Sequence, residues 1–110
     1  MNKDNEITII DRLSCLIQDV KKGLEPDVLA FWYNIIGNEV KVACPEELRK
    51  SVSVYQDPVL PMKFEFRASR RTVPFILNAI ENNLNSMPFA TRLYFLKFEE
   101  IIQQEFYKNI

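Results

Sequence analysis

The stretch from Pro88 to Tyr107 has the length of a helix, and its apolar side chains point in every direction around the axis. A helix on the surface of a globule needs one apolar stripe, and a helix that is apolar all round must be covered on two sides. Around the helical wheel, Phe89, Leu93 and Leu96 point one way, and Tyr94, Phe95 and Phe98 point roughly the other way. Beyond residue 98 only Ile101, Ile102 and Phe106 continue as a stripe, opposite Glu99, Glu100, Gln103 and Gln104. The demand for double coverage therefore falls on residues 89–98. A chain of 110 residues is expected to fold as one domain, 1–110. It has little material with which to cover such a helix twice. The economical expectation is that one side packs on the domain and the other meets a partner, most simply a second copy. Tyr94, Phe95, Phe98, Ile102 and Phe106 are the expected contact residues.

Two further helical patterns precede a change of period. In residues 6–22, Ile9, Ile10, Leu13, Leu16, Ile17 and Val20 share a face; Lys21 and Lys22 suit the C-terminal dipole, and Gly23 suits the left-handed position after it. Pro26 then fits the first turn of a second helix that runs to about Ile36 and ends at Gly37, with Val28, Leu29, Phe31, Trp32, Ile35 and Ile36 as its apolar face. Strict alternation follows in Glu39–Val42, Ser51–Tyr55 and Met62–Ala68, the signature of half-buried strands. These segments predict a three-stranded antiparallel meander. Val40, Val42, Val52, Val54, Phe64 and Phe66 face inward; Lys41, Ser51, Ser53, Tyr55, Lys63, Glu65 and Arg67 face outward. Pro45-Glu46-Glu47 is also a good helical first turn, so residues 45–52 read either as a short helix or as turn plus strand. A third helix covers 73–85, with Val73, Ile76, Leu77, Ile80 and Leu84 in one stripe, Thr72 as its cap and Phe75 on the far side. The fold class is α+β: two N-terminal helices, the meander, and two C-terminal helices on one sheet face. An all-α bundle with a short hairpin is the fallback.

Composition excludes several kinds of chemistry. The chain has no histidine, which removes the commonest general base near neutral pH and the commonest metal ligand. Cys15 and Cys44 are widely separated, which suits free thiols better than a bridge or a zinc shell. Two glycines cannot build a phosphate-cradling loop. The paired carboxylates Glu46-Glu47 and Glu99-Glu100 are neighbours in sequence, and adjacent helical residues do not face each other. Lys97 reads as a stem lying along the edge of the last helix rather than as a base. No enzyme, metal or cofactor is expected. No apolar run approaches the ~20 residues of a membrane span. The polar, mixed-charge segment Met1–Glu6 does not resemble a secretory leader, so the expected location is cytoplasmic.

One basic cluster stands out. Lys63, Arg67, Arg70 and Arg71 gather between the third strand and the third helix, with Arg92 as a further candidate and Tyr55 beside them to stack on a base. Glu65 sits within that cluster, and the formal net charge is −1. The leading expectation is therefore a non-enzymatic protein-interaction or regulatory adaptor, homodimeric through the C-terminal helix. The alternative is a small nucleic-acid- or phosphate-binding module at the basic junction. A ligand pocket lined by Trp32, Phe64 and Phe66 is a third reading.

Overall fold

The computed structural model describes residues 6–8 and 23–106. In chain order these form β1 (Glu6–Thr8), α1 (Pro26–Ala43), α2 (Glu46–Arg49), β2 (Ser53–Gln56), β3 (Phe64–Ser69), α3 (Val73–Asn83) and α4 (Phe89–Phe106). Single 3-10 turns at Arg70–Thr72 and Leu84–Ser86 lead into α3 and out of it. The architecture is α+β, with an antiparallel sheet in the order β1-β3-β2.

Helix α1 runs straight through the glycine expected to stop it. Pro26 opens it where a missing N–H costs nothing, Asp27 and Lys41 suit the two ends of its dipole, and the Cys44 N–H closes it on the Val40 carbonyl at 2.9 Å. Its inner face is Leu29, Tyr33, Ile36, Gly37 and Val40. Gly37 is there because strand β2 comes close: a Cβ at this position would lie 2.9 Å from Val54 Cγ2. The expected first strand, Glu39–Val42, is thus the last turn and a half of α1. Four residues cannot separate a period of 2 from one of 3.6. Positions two apart on a helix are about 200° apart, so Val40 is buried while Val42, assigned inward on the strand reading, is 79% exposed.

The glycine's role is directly testable. A Gly37→Ala change gains up to about 1 kcal/mol of helix propensity but drives a methyl into a stiff β-branched neighbour, an overpacking cost of about 1–3 kcal/mol. The expected result is a net loss of about 1 kcal/mol in unfolding free energy, read as a lower urea midpoint. Gly37→Ala/Val54→Ala should lose less than the sum of its two single changes.

The helical reading of residues 45–52 is the one seen, shortened to Glu46–Arg49 with Leu48 turned into the core. At the N-terminus, Glu6–Thr8 is a strand rather than the start of a helix, pairing antiparallel with β3 so that Glu6 faces Ser69 and Thr8 faces Arg67. The remainder of that expected helix, residues 9–22 with Cys15, lies outside the described residues. Two N-terminal helices feeding a meander is therefore not the arrangement of the described residues. The antiparallel β2–β3 hairpin is present, with Val54 opposite Phe66 and Tyr55 opposite Glu65. Its far neighbour is β1, delivered from the start of the chain.

Alternation in β3 works as expected: Phe64, Phe66 and Ala68 point into the core, while Arg67 is exposed. The hairpin turn is set by Asp57, whose Oδ1 accepts the N–H groups of Val59 (2.8 Å) and Leu60 (2.9 Å). Those two donors, Leu60 foremost, hold its carboxyl below the usual range. Ser69 Oγ accepts the Arg71 N–H at 3.2 Å and so caps the 3-10 turn ahead of α3. Thr72, the expected cap, instead turns its hydroxyl back to the Ser69 carbonyl at 2.6 Å. Buried residues of α1, α3, α4 and the inner sheet face merge into one hydrophobic core.

Candidate interaction surface

The aromatic side of α4 belongs to this core. Tyr94, Phe95, Phe98 and Ile102 are buried by their own chain. Tyr33 of α1 is the hub: its ring stacks on Phe64 with centroids 4.7 Å apart and meets Phe95 edge-on at 5.1 Å and Phe98 at 5.6 Å. The Tyr33 and Tyr94 hydroxyls share a buried hydrogen bond of 2.5 Å. Burial pushes both phenols above their usual range. Tyr94, Phe95, Phe98 and Ile102 are therefore not a contact surface in this fold. The helical wheel identifies two apolar sides but not which of them the domain takes. Tyr33 decides it, because its hydroxyl can be satisfied beside Tyr94. Phe106 is the closing residue of α4.

Among the described residues, none covers the opposite side of α4. Phe89 is 71% exposed, Leu93 44% and Leu96 40%. Their spacing of four and three residues puts them on one face. Glu100 continues the row and Lys97 flanks it, the two forming an ion pair at 3.4 Å. At the foot of this face, Arg92 fastens the α3–α4 corner: Nε donates to the Leu84 carbonyl at 3.0 Å and Nη2 to the Met87 carbonyl at 3.3 Å.

Arg92 is thereby engaged at that corner. Of the other residues in the expected basic site, Arg67 is tied to Glu65 at 2.8 Å and Arg71 to Glu47 at 3.4 Å. Arg70 and Tyr55 are exposed, Lys63 is half-buried, and the Lys63 backbone closes the hairpin by donating to Leu60 O at 2.8 Å and accepting from Asp57 N at 2.9 Å. Exposed pairs such as these add little stability, but each carboxylate cancels a positive charge that an anion would need. Of the pocket reading, Phe64 and Phe66 are core, and Trp32 is half-buried against Phe31 with centroids 5.1 Å apart.

Glu99 of α4 is a buried carboxyl, 8% exposed. Desolvation first, then the hydrogen bond and negative charge of Glu81, push the Glu99 carboxyl up to about 7. The sequence carries half of the signal, since Glu99 lies four residues after Phe95 and three before Ile102, at the edge of the buried stripe. Glu81, 18 positions earlier, has no such mark.

Among the described residues, no group of three or more His, Cys, Asp or Glu side chains could hold a metal, Cys44 is a buried free thiol, and no helix is long and apolar enough to cross a membrane. No family model matches the chain, and comparison with curated proteins and with solved structures finds no significant match.

Proposed function

We propose that this protein is a non-enzymatic interaction module that pairs with a second copy through the outer face of α4. The supporting observation is the exposed row Phe89, Leu93 and Leu96 on a helix whose other side is locked into an aromatic core. Such spacing is the anchor pattern of helix recognition. The basic junction has the weaker claim, because Arg67 and Arg71 already face carboxylates.

Sedimentation equilibrium tests the proposal. The wild-type protein is expected to weigh in as a dimer at high micromolar concentration. Leu93→Asp, at a position that is not part of the core, should be a monomer with an unchanged circular dichroism spectrum. A wild-type protein that stays monomeric, or a Leu93→Asp variant that dimerises as well as the parent, removes the proposal.

A further inference from the structure

We propose that the turn of the β2–β3 hairpin is a lipid-surface anchor that inserts Val59 and Leu60 into the interface of a zwitterionic membrane. These two side chains are among the most exposed large apolar groups of the described residues, at 80% and 57%. They stand between Pro58 and Pro61, both exposed, so residues 58–61 form an apolar tip without a charged side chain. An apolar patch held out in water marks a place that something else covers. The tip also has a fixed shape. Two prolines restrict its backbone, and Asp57 Oδ1 accepts the N–H groups of Val59 at 2.8 Å and Leu60 at 2.9 Å. Behind them, Gln56 Nε2 donates to the Pro61 carbonyl at 2.8 Å.

The hydrogen bonding of the tip points to surroundings that offer no hydrogen bonds. Every N–H from Asp57 to Pro61 is used inside the hairpin: that of Asp57 goes to the Lys63 carbonyl, those of Val59 and Leu60 go to the Asp57 carboxylate, and the two prolines have none. The Leu60 carbonyl accepts from the Lys63 N–H at 2.8 Å. A segment that enters lipid must carry its own hydrogen bonds. Protein interfaces carry direct hydrogen bonds across them, and this tip has no N–H left to offer one. The charges behind the tip select the kind of lipid. Asp57 at one side of the neck is balanced by Lys63 at the other, and Glu65 by Arg67 at 2.8 Å. A neutral collar gains nothing from an anionic surface and suits the paired charges of phosphocholine head groups. Tyr55, 50% exposed, stands two residues before the turn, where an amphipathic ring meets a membrane interface.

Two aliphatic side chains, each already covered in part, favour an apolar phase by roughly a hundred- to thousandfold. Such an anchor is weak and reversible, as a single acyl chain is. Half-binding is expected at about 1 mM accessible lipid.

Flotation with phosphatidylcholine vesicles tests the anchor. Wild-type protein should float with them to the same extent at low and at high salt. Leu60→Asp, at an exposed position, should keep the circular dichroism spectrum of the parent and lose about tenfold or more in binding. Asp57→Ala leaves both apolar side chains in place but frees two N–H groups, and it should also weaken binding. Leu93→Asp, on the outer face of α4, should float as the wild type does, so failure of the dimer and failure of the anchor are read separately. Wild-type protein that stays in solution would overturn the anchor and leave the tip to an apolar pocket on a protein. Binding that requires phosphatidylserine, or that is unaltered in Leu60→Asp or Asp57→Ala, would overturn it as well.

Discussion

Replacing Phe95 with alanine is expected to destabilise the fold by about 3–5 kcal/mol, the range for deleting a fully buried aromatic ring. Phe95 is fully buried, with Tyr33 at 5.1 Å, Tyr94 at 5.0 Å and Phe98 at 5.7 Å between ring centroids. These neighbours are themselves large and held by contacts on other sides, so they cannot collapse into the space. Domains of this size are stable by about 5–15 kcal/mol in total, so the variant should unfold at a fraction of the urea concentration that the parent withstands. Phe89→Ala is the matched control: the same residue type, on the same helix, exposed. At protein concentrations low enough to keep the chain monomeric, it is expected to change stability by no more than about 0.5 kcal/mol. Equal effects at the two positions would mean that α4 does not dock by its aromatic side.

The second large effect concerns the tyrosine pair. Tyr33→Phe removes a hydroxyl and leaves that of Tyr94 buried beside it without its partner, at a cost of about 1–3 kcal/mol. Tyr33→Phe/Tyr94→Phe removes both hydroxyls from an otherwise apolar cluster and should recover most of that loss. The double-mutant cycle reads the coupling directly. Alkaline titration is a second readout. Both phenols are held above their ordinary range, so the folded state keeps protons that an unfolded chain releases from about pH 10 upward. The stability they confer is present below that pH and drains away above it. Phenolate absorbance from this pair should appear together with unfolding, and the double phenylalanine variant should unfold at higher pH than the parent.

How much of this was legible in the sequence depended on the length of each pattern. The long helical periodicities of α3 and α4 give their elements directly, and the alternation of Met62–Ala68 gives β3 and its inward residues Phe64 and Phe66. Short patterns were uneven: Ser51–Tyr55 does lead to β2, whereas Glu39–Val42 misleads. Glu39–Val42 alternates, but it is the end of a helix whose continuation depends on Gly37 being needed by Val54, a contact between residues 17 positions apart. The pairing of Glu6–Thr8 with β3 spans some 60 residues and leaves no local trace. The candidate interface was half legible for the same reason. The two apolar sides of α4 are a local property, whereas the choice of the Tyr94 side as interior was made by Tyr33. In the basic cluster, Glu65 was visible beside Arg67, but Glu47 reaches Arg71 from another element.

The hydrogen bond between Tyr33 and Tyr94 joins residues 61 positions apart, and that distance has a meaning in time. At roughly 5–20 residues per second, a ribosome needs on the order of 3–12 seconds to make the intervening chain. During that interval α1, and later the hairpin, present Leu29, Tyr33 and then Phe64 with no α4 to receive them. The core of this fold therefore cannot close until the last helix has been made.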